Sequence, residues 1–180
     1  MKKTLLMLAL GMASSSVFAA SSIGDVNFRG TISGGGTCPI EVIERPGGPE
    51  VGSISLGSYT AGYFKSIGTK TPAVNFMLRI TPGDNCEIQD GDTASVTYSS
   101  LDGVVGNDLY SFRKNGAGGL GLAITDRNHT KVVPEEESIE YELHTDRPTE
   151  MRFYASYESY SETVTEGVAE AQISFVVHLL

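Results

Sequence analysis

The chain has no tryptophan, only two cysteines and three histidines, and 13 basic residues against 22 acidic ones among 180. Two cysteines are too few for a four-thiolate metal site but enough for one disulfide. The shortage of Lys and Arg gives a formal charge of −9. A chain this acidic is a poor candidate for phosphate backbones or anionic lipid, so no nucleic acid partner is expected. Beyond the first twenty residues no apolar run is long enough to span a bilayer. The whole chain is 40% hydrophobic and 19% charged. That composition excludes wholesale disorder and a coiled coil, and the length suits one domain or at most two small ones. With 21 Gly and 7 Pro, many turns and short strands are expected.

The first residues read as an address. Lys2 and Lys3 form a basic n-region, Leu5 to Met12 an apolar core, and Val17-Phe18-Ala19 a small-residue cleavage site. The apolar run is too short for a membrane anchor. A signal peptide over residues 1–19 is therefore expected. Its removal would leave 161 residues, take away two lysines and no acid, and move the charge from −9 to −11. Cys38 and Cys86 would then enter an oxidising compartment, where two reactive thiols are the lesser reading.

The rest reads as strands. Val74, Phe76, Leu78 and Ile80 alternate with Asn75, Met77 and Arg79. Ala94, Val96 and Tyr98 do the same, as do Leu120, Leu122 and Ile124, then Ile139, Tyr141 and Leu143, then Met151, Phe153, Ala155 and Tyr157. Turn clusters separate them at Gly34-Gly35-Gly36, Pro46-Gly47-Gly48-Pro49, Pro82-Gly83-Asp84-Asn85 and Asn115-Gly116. Residues 101–112 are ambiguous and read as compatible with a short helical turn. Many short strands with frequent turns indicate an all-β sandwich.

Two segments are unlike strands of a closed domain. Near the N-terminus, residues 20–33 place Gly24, Val26, Phe28, Gly30 and Ile32 on one face. Glycines in a core stripe mark a close backbone approach. The plainer reading is an N-terminal strand of the sandwich. At the other end Ala169, Ala171, Ile173, Phe175, Val177 and Leu179 alternate to the chain terminus without a polar tail. A long apolar edge is an aggregation liability that something must cover.

Together these features resemble the pilin subunits of chaperone–usher fimbriae, of the type 1 and P pilus kind. The resemblance spans the mature chain. Val26-Asn27-Phe28-Arg29-Gly30-Thr31-Ile32 is similar to the family's N-terminal extension, and Cys38 follows closely. Leu56-Gly57, Phe64, Gly68, Thr71, Phe76 to Ile80 and Cys86 resemble its central pattern, and Gly121 to Asp126 its glycine-to-aspartate strand. Gly167 lies fourteenth from the C-terminus, where the family keeps a glycine before the terminal strand. The family's usual penultimate aromatic is replaced by Leu179.

The resemblance implies an incomplete immunoglobulin-like sandwich, residues 34–180, completed by a donor strand from another subunit. It implies that residues 20–33 are that donor strand, with Val26, Phe28 and Ile32 entering apolar pockets and Gly30 fitting where no side chain can. Burying three such side chains is worth roughly 5–9 kcal/mol. Gly167, Ala169, Ala171, Ile173, Phe175, Val177 and Leu179 would form the acceptor and chaperone-binding strand. Cys38 and Cys86 would form a disulfide between the strand after the extension and the strand before the second turn, worth on the order of 4 kcal/mol. Implied partners are neighbouring pilin subunits, a periplasmic chaperone and an outer-membrane usher. The implied destination is the surface fimbrium, reached through the periplasm, with a role in cell adhesion.

Other signals are weaker. Gly116 to Gly121 matches G-x-G-x-x-G, but a strand rather than a helix is expected after it, against nucleotide binding. His129, His144 and His178 lack metal-ligand spacing, Asn128-His129-Thr130 reads as a chance sequon, and Glu135-Glu136-Glu137 as a solvated turn. Tyr154, Tyr157 and Tyr160 read as packing, with a sugar platform as the lesser reading. No catalytic residues, metal or cofactor are expected. The rival function is a monomeric exported β-sandwich binding carbohydrate or protein, followed by an exported hydrolase with no visible site.

Overall fold

A computed structural model of the full chain describes residues 25–33 and 38–180. Residues 1–19, expected to be a signal peptide, Gly24 and the glycine triplet 34–36 lie outside the described residues. Eleven strands form among those described: β1 (Asp25–Ser33), β2 (Ile40–Ile43), β3 (Ser53–Ser55), β4 (Val74–Ile80), β5 (Thr93–Ser100), β6 (Val104–Val105), β7 (Leu109–Tyr110), β8 (Leu120–Asp126), β9 (Tyr141–Glu142), β10 (Thr149–Ser159) and β11 (Ala171–Leu179).

The strands build two sheets. One has the order β3-β1-β11-β5-β9, the other β2-β4-β10-β8-β7-β6. The period-two alternation explains the packing, because each strand turns one set of side chains inward. Phe76, Leu78 and Ile80 of β4, Met151, Phe153 and Ala155 of β10, and Leu122 and Ile124 of β8 are all fully buried. Ala94, Val96 and Tyr98 of β5 and Ala171, Ile173 and Val177 of β11 meet them in one core cluster. Aromatic rings join the two sheets. Phe153 stacks on Phe76 at 5.7 Å and takes Tyr98 edge-on at 5.2 Å, and Tyr98 lies 6.2 Å from Phe175.

Two expectations need correction. Residues 101–112 hold no helical turn but the small hairpin of β6 and β7. Gly103 and Gly106 adopt φ of +92° and +61°, outside the right-handed helical region, and so reverse the chain. The one short 3₁₀ turn among the described residues lies at Ala61–Tyr63 instead. The alternating run 139–143 enters the sheet only at Tyr141 and Glu142. Around those two residues its backbone bonds elsewhere: the Ser138 N–H donates to the Val96 carbonyl and the Leu143 N–H to that of Asp92.

A charged group ties the hairpin down. The Lys131 ammonium lies 2.7 Å from Asp108 and 3.0 Å from Glu158, which also pairs with Lys70 at 3.4 Å. Burial works against the charged form, yet the bonds to Asp108 and Glu158 hold the Lys131 pKa above its usual range.

Three core tyrosines carry a pH signature. Burial pushes Tyr98, Tyr110 and Tyr141 above their usual value, Tyr141 to about 12. The hydroxyls of Tyr110 and Tyr141 donate to the carbonyls of Val132 and Arg152, whereas that of Tyr98 is buried without a partner among the described residues. The unfolded chain ionises these groups near pH 10 while the folded chain keeps them neutral. Stability should therefore be full below about pH 10 and fall above it. Tyr98→Phe should raise stability by about 1 kcal/mol at neutral pH and make the alkaline loss less steep, measured by urea unfolding from pH 7 to 11. A loss of stability in Tyr98→Phe would mean that the hydroxyl is satisfied after all.

Candidate assembly site

The apolar C-terminal run forms β11 from Ala171, with Ala169 buried just ahead of the ladder. Along β11 the inward residues Ala171, Ile173, Phe175 and Val177 are buried, and Gln172, Ser174, Val176 and His178 are half-buried on the outer face. One edge of β11 pairs antiparallel with β5, from Ile173 opposite Ser100 to Leu179 opposite Ala94. The other edge pairs with β1, in parallel, from Val26 opposite Ala171 to Ser33 opposite His178. The apolar edge is thus covered by the chain's own N-terminal segment.

That segment occupies a position one strand wide. β1 is flanked by β11 on one side and β3 on the other, and β3 joins the sheet only through β1, with Val26 opposite Ile54. Neighbouring strands lie about 4.8 Å apart, so β3 and β11 stand roughly 10 Å from each other with a single strand between them. Val26 is fully buried there, beside the fully buried Ile54 and Ala171. Gly30 falls opposite Phe175, the one aromatic on the inner face of β11. The side chains of Phe28 and Ile32 lie outside the described residues, although their backbones face Ile173 and Val177.

A polar contact absent from the sequence reading holds the first part of β1. The Asn27 side-chain amide donates to Glu170 Oε1 at 2.9 Å. Glu170 in turn takes Arg113 Nη1 at 3.2 Å, and its carbonyl accepts the Arg113 N–H at 2.8 Å. Asn27 and Glu170 are 143 positions apart, beyond the reach of local patterning.

At the same end of the groove lies a pocket lined by Tyr59, Phe64, Leu120, Tyr157, Val164 and Gly167, among others. Its wall is a clasp between residues 116–119 and 163–168. A Cβ on Gly167 would stand 2.6 Å from the Ala117 nitrogen and the Gly116 carbonyl carbon. Gly116 and Gly119 press equally on the carbonyls of Val168 and Thr163. The Ala117 N–H donates to Val168 and the Thr165 N–H to Gly118, both at 3.0 Å. The literal G-x-G-x-x-G is thus a backbone clasp that leads into strand β8, not the opening of a helix around a phosphate.

Cys38 and Cys86 are buried and bonded, with Cα atoms 4.5 Å apart. Cys86 sits in the connection after β4, bridged to Gly83, rather than in a strand. Cys38 also lies outside a strand, two residues before β2, and the bond anchors it to the β4–β5 connection. The remaining signals disperse. His129 stacks on Tyr154 at 4.6 Å, Tyr157 is buried and Tyr160 is exposed, so the three tyrosines share no surface. The Asn128-His129-Thr130 stretch wraps the buried Asp126 carboxylate, which accepts the N–H groups of Asn128 and Thr130 at 2.8 and 3.0 Å. Among the described residues no group of His, Cys, Asp and Glu is placed to hold a metal.

The family model for fimbrial proteins matches residues 26–179, from Val26 in β1 to Leu179, the last residue of β11. The chain belongs to the fimbrial protein family. It is 31% identical to a probable major fimbrial subunit LpfA of Escherichia coli O157:H7, over 97% of this chain and 95% of that protein. It is 28% identical to the long polar fimbria protein A of Salmonella typhimurium over the same shares. The fold is similar to the P pilus rod subunit PapA, with a TM-score of 0.61 at 17% identity over 79% of this chain and 99% of that one. It also resembles a type I fimbria protein of Burkholderia pseudomallei, with a TM-score of 0.54 at 21% identity over 89% and 97%. Members of this family are structural subunits of surface fimbriae and not enzymes.

The clasp yields a test of the pole. Gly167→Val should cost about 1–3 kcal/mol, because its side chain meets backbone that cannot step aside. Gly52→Ala, with open space around it, should stay within about 0.5 kcal/mol. Urea unfolding of both variants measures the difference.

Proposed function

We propose that this fimbrial subunit polymerises by donor-strand exchange. Residues 1–19 act as a signal peptide, residues 20–33 as the donor strand and residues 34–180 as the pilin domain. A periplasmic chaperone holds the groove beside β11, and an outer-membrane usher exchanges that hold for the extension of the next subunit. The fibre carries the subunits to the cell surface and supports adhesion.

The observation that carries this reading is the one-strand gap between β3 and β11, occupied by β1, residues 25–33. A strand added there gains main-chain hydrogen bonds along both neighbours and an apolar face for alternate side chains. Because donor and groove are different surfaces of one chain, the contact is head-to-tail and extends into a filament. The rival reading, a monomeric exported sandwich that binds carbohydrate or protein, also has β1 paired in its own chain. Membership of a fimbrial family favours the polymer.

Deleting residues 20–32 and coexpressing the chain with its chaperone and usher should give a soluble chaperone complex that never extends into fibres. Unchanged fibre yield by electron microscopy would overturn the proposal. The role of Gly30 is tested separately with peptides of residues 20–33. Against chaperone-bound subunit, the peptide carrying Gly30→Leu should displace chaperone at least tenfold more slowly than the native one. Equal rates would remove the assignment of Gly30 to a position with no room for a side chain.

A further inference from the structure

We propose that Asn115–Gly116 is a site of spontaneous hydrolytic modification and that the glycine clasp gates it. The closed clasp protects the asparagine. An open clasp exposes it to a conversion that then keeps the clasp from closing again. The inference stands on the clasp alone and needs no assumption about assembly.

Position 115 differs from every other asparagine beyond residue 19. The others are Asn27, Asn75, Asn85, Asn107 and Asn128, and each is followed by a residue with a side chain. Asn115 alone is followed by glycine. A side chain on the following residue crowds the approach of its backbone nitrogen to the asparagine amide, and glycine leaves that approach open. Asn115 is also exposed, so water reaches it. Its φ is +67°, in the left-handed region that asparagine tolerates at turns.

The chemistry needs only water and base. The Gly116 nitrogen, on losing its proton, attacks the side-chain carbonyl carbon of Asn115. A C–N bond forms, and the amide nitrogen takes up a proton and leaves as ammonia. The product is a five-membered cyclic imide. Water then adds to one of the two imide carbonyls and breaks the bond between that carbonyl and the ring nitrogen. Opening at the side-chain carbonyl gives aspartate. Opening at the main-chain carbonyl gives isoaspartate, whose backbone runs through the side chain and is one carbon longer. Nothing is oxidised or reduced.

The folded geometry holds back the first step. The Gly116 N–H donates to the Arg113 carbonyl at 3.2 Å, so the attacking nitrogen is engaged within its own turn. Both flanks of the turn are fastened to the facing loop. The Arg113 N–H donates to the Glu170 carbonyl at 2.8 Å, and the Ala117 N–H to the Val168 carbonyl at 3.0 Å. Gly116 itself lies against the Val168 carbonyl oxygen, too close for even a Cβ between them. Turning the 115–116 peptide toward the side chain therefore requires the clasp to open, a local event distinct from global unfolding. Once isoaspartate has formed, the longer backbone no longer matches the spacing between the 113–170 and 117–168 fastenings.

Peptide mass spectrometry of the mature subunit, incubated at mildly alkaline pH, measures conversion at position 115, with fragmentation that separates aspartate from isoaspartate. The urea-unfolded chain should convert at least about tenfold faster than the folded one. Asn115→Gln, whose longer side chain closes a less favoured ring, serves as the slow control. Thr165→Val removes the hydroxyl that accepts the Gly118 N–H at 3.0 Å and loosens the clasp without adding bulk. It should speed conversion in the folded chain about threefold or more. Equal rates in folded and unfolded chains would overturn the gate, as would equal rates in Thr165→Val and the unaltered subunit. Absence of conversion in urea would overturn the site itself. Refolded chains carrying isoaspartate should lose hydrogen-exchange protection at the Ala117 and Thr165 amides, whereas Asn115→Asp should keep it. Protection retained with isoaspartate in place would overturn the block on re-closure.

Discussion

Strand β11 has an apolar inner face and two backbone edges, and β5 meets only one of them. The rest of the fold leaves a position one strand wide on the other side, bounded by β3. Every feature of the assembly site follows from the need to fill that position. A bare β11 edge would expose N–H and C=O groups beside Ile173, Phe175 and Val177, the arrangement most prone to pairing with foreign strands. It would also leave β3 without its sheet partner, since among the described residues β3 pairs only with β1. Satisfying one edge therefore completes two strands and the core beneath them.

The groove stays shaped because both of its poles are fixed independently of β1. At one pole the disulfide binds the residue before β2 to the β4–β5 connection, and Leu180 closes onto Thr93. At the other, glycines 116, 119 and 167 bring two loops into backbone contact that a side chain at any of the three would disturb. Close approach is a use of glycine distinct from conformational freedom. It explains why a glycine-rich stretch here precedes a strand.

Much of this was legible in the sequence, for physical reasons that differ by element. The alternation in β4, β10 and β11 runs for seven to eleven residues, long enough for period two to stand out. The two cysteines left one pairing, and Gly167 stood out by its distance from the C-terminus. The hairpin of β6 and β7 was not legible, because strands of two residues carry no period. The Asn27–Glu170–Arg113 contact was not either, since nothing local links residues so far apart. The three tyrosines, read mainly as packing, divide: Tyr157 points into the core against Phe112 while Tyr154 meets His129.

Leu179 shows how register decides what a departure from a family pattern costs. The last described pair of β1 is Ser33 with His178, one step short of it. Leu179 pairs instead with Ala94 of β5, and Leu180 beyond it bonds to Thr93. Its side chain is partly buried against the core at the pole that the disulfide already holds. Replacing an aromatic by leucine there changes the cap of the sandwich and leaves the inner face of the groove, from Ala171 to Val177, intact. The groove's capacity to receive a strand is set by those residues and by β3, whichever chain supplies the strand and in whichever direction it runs.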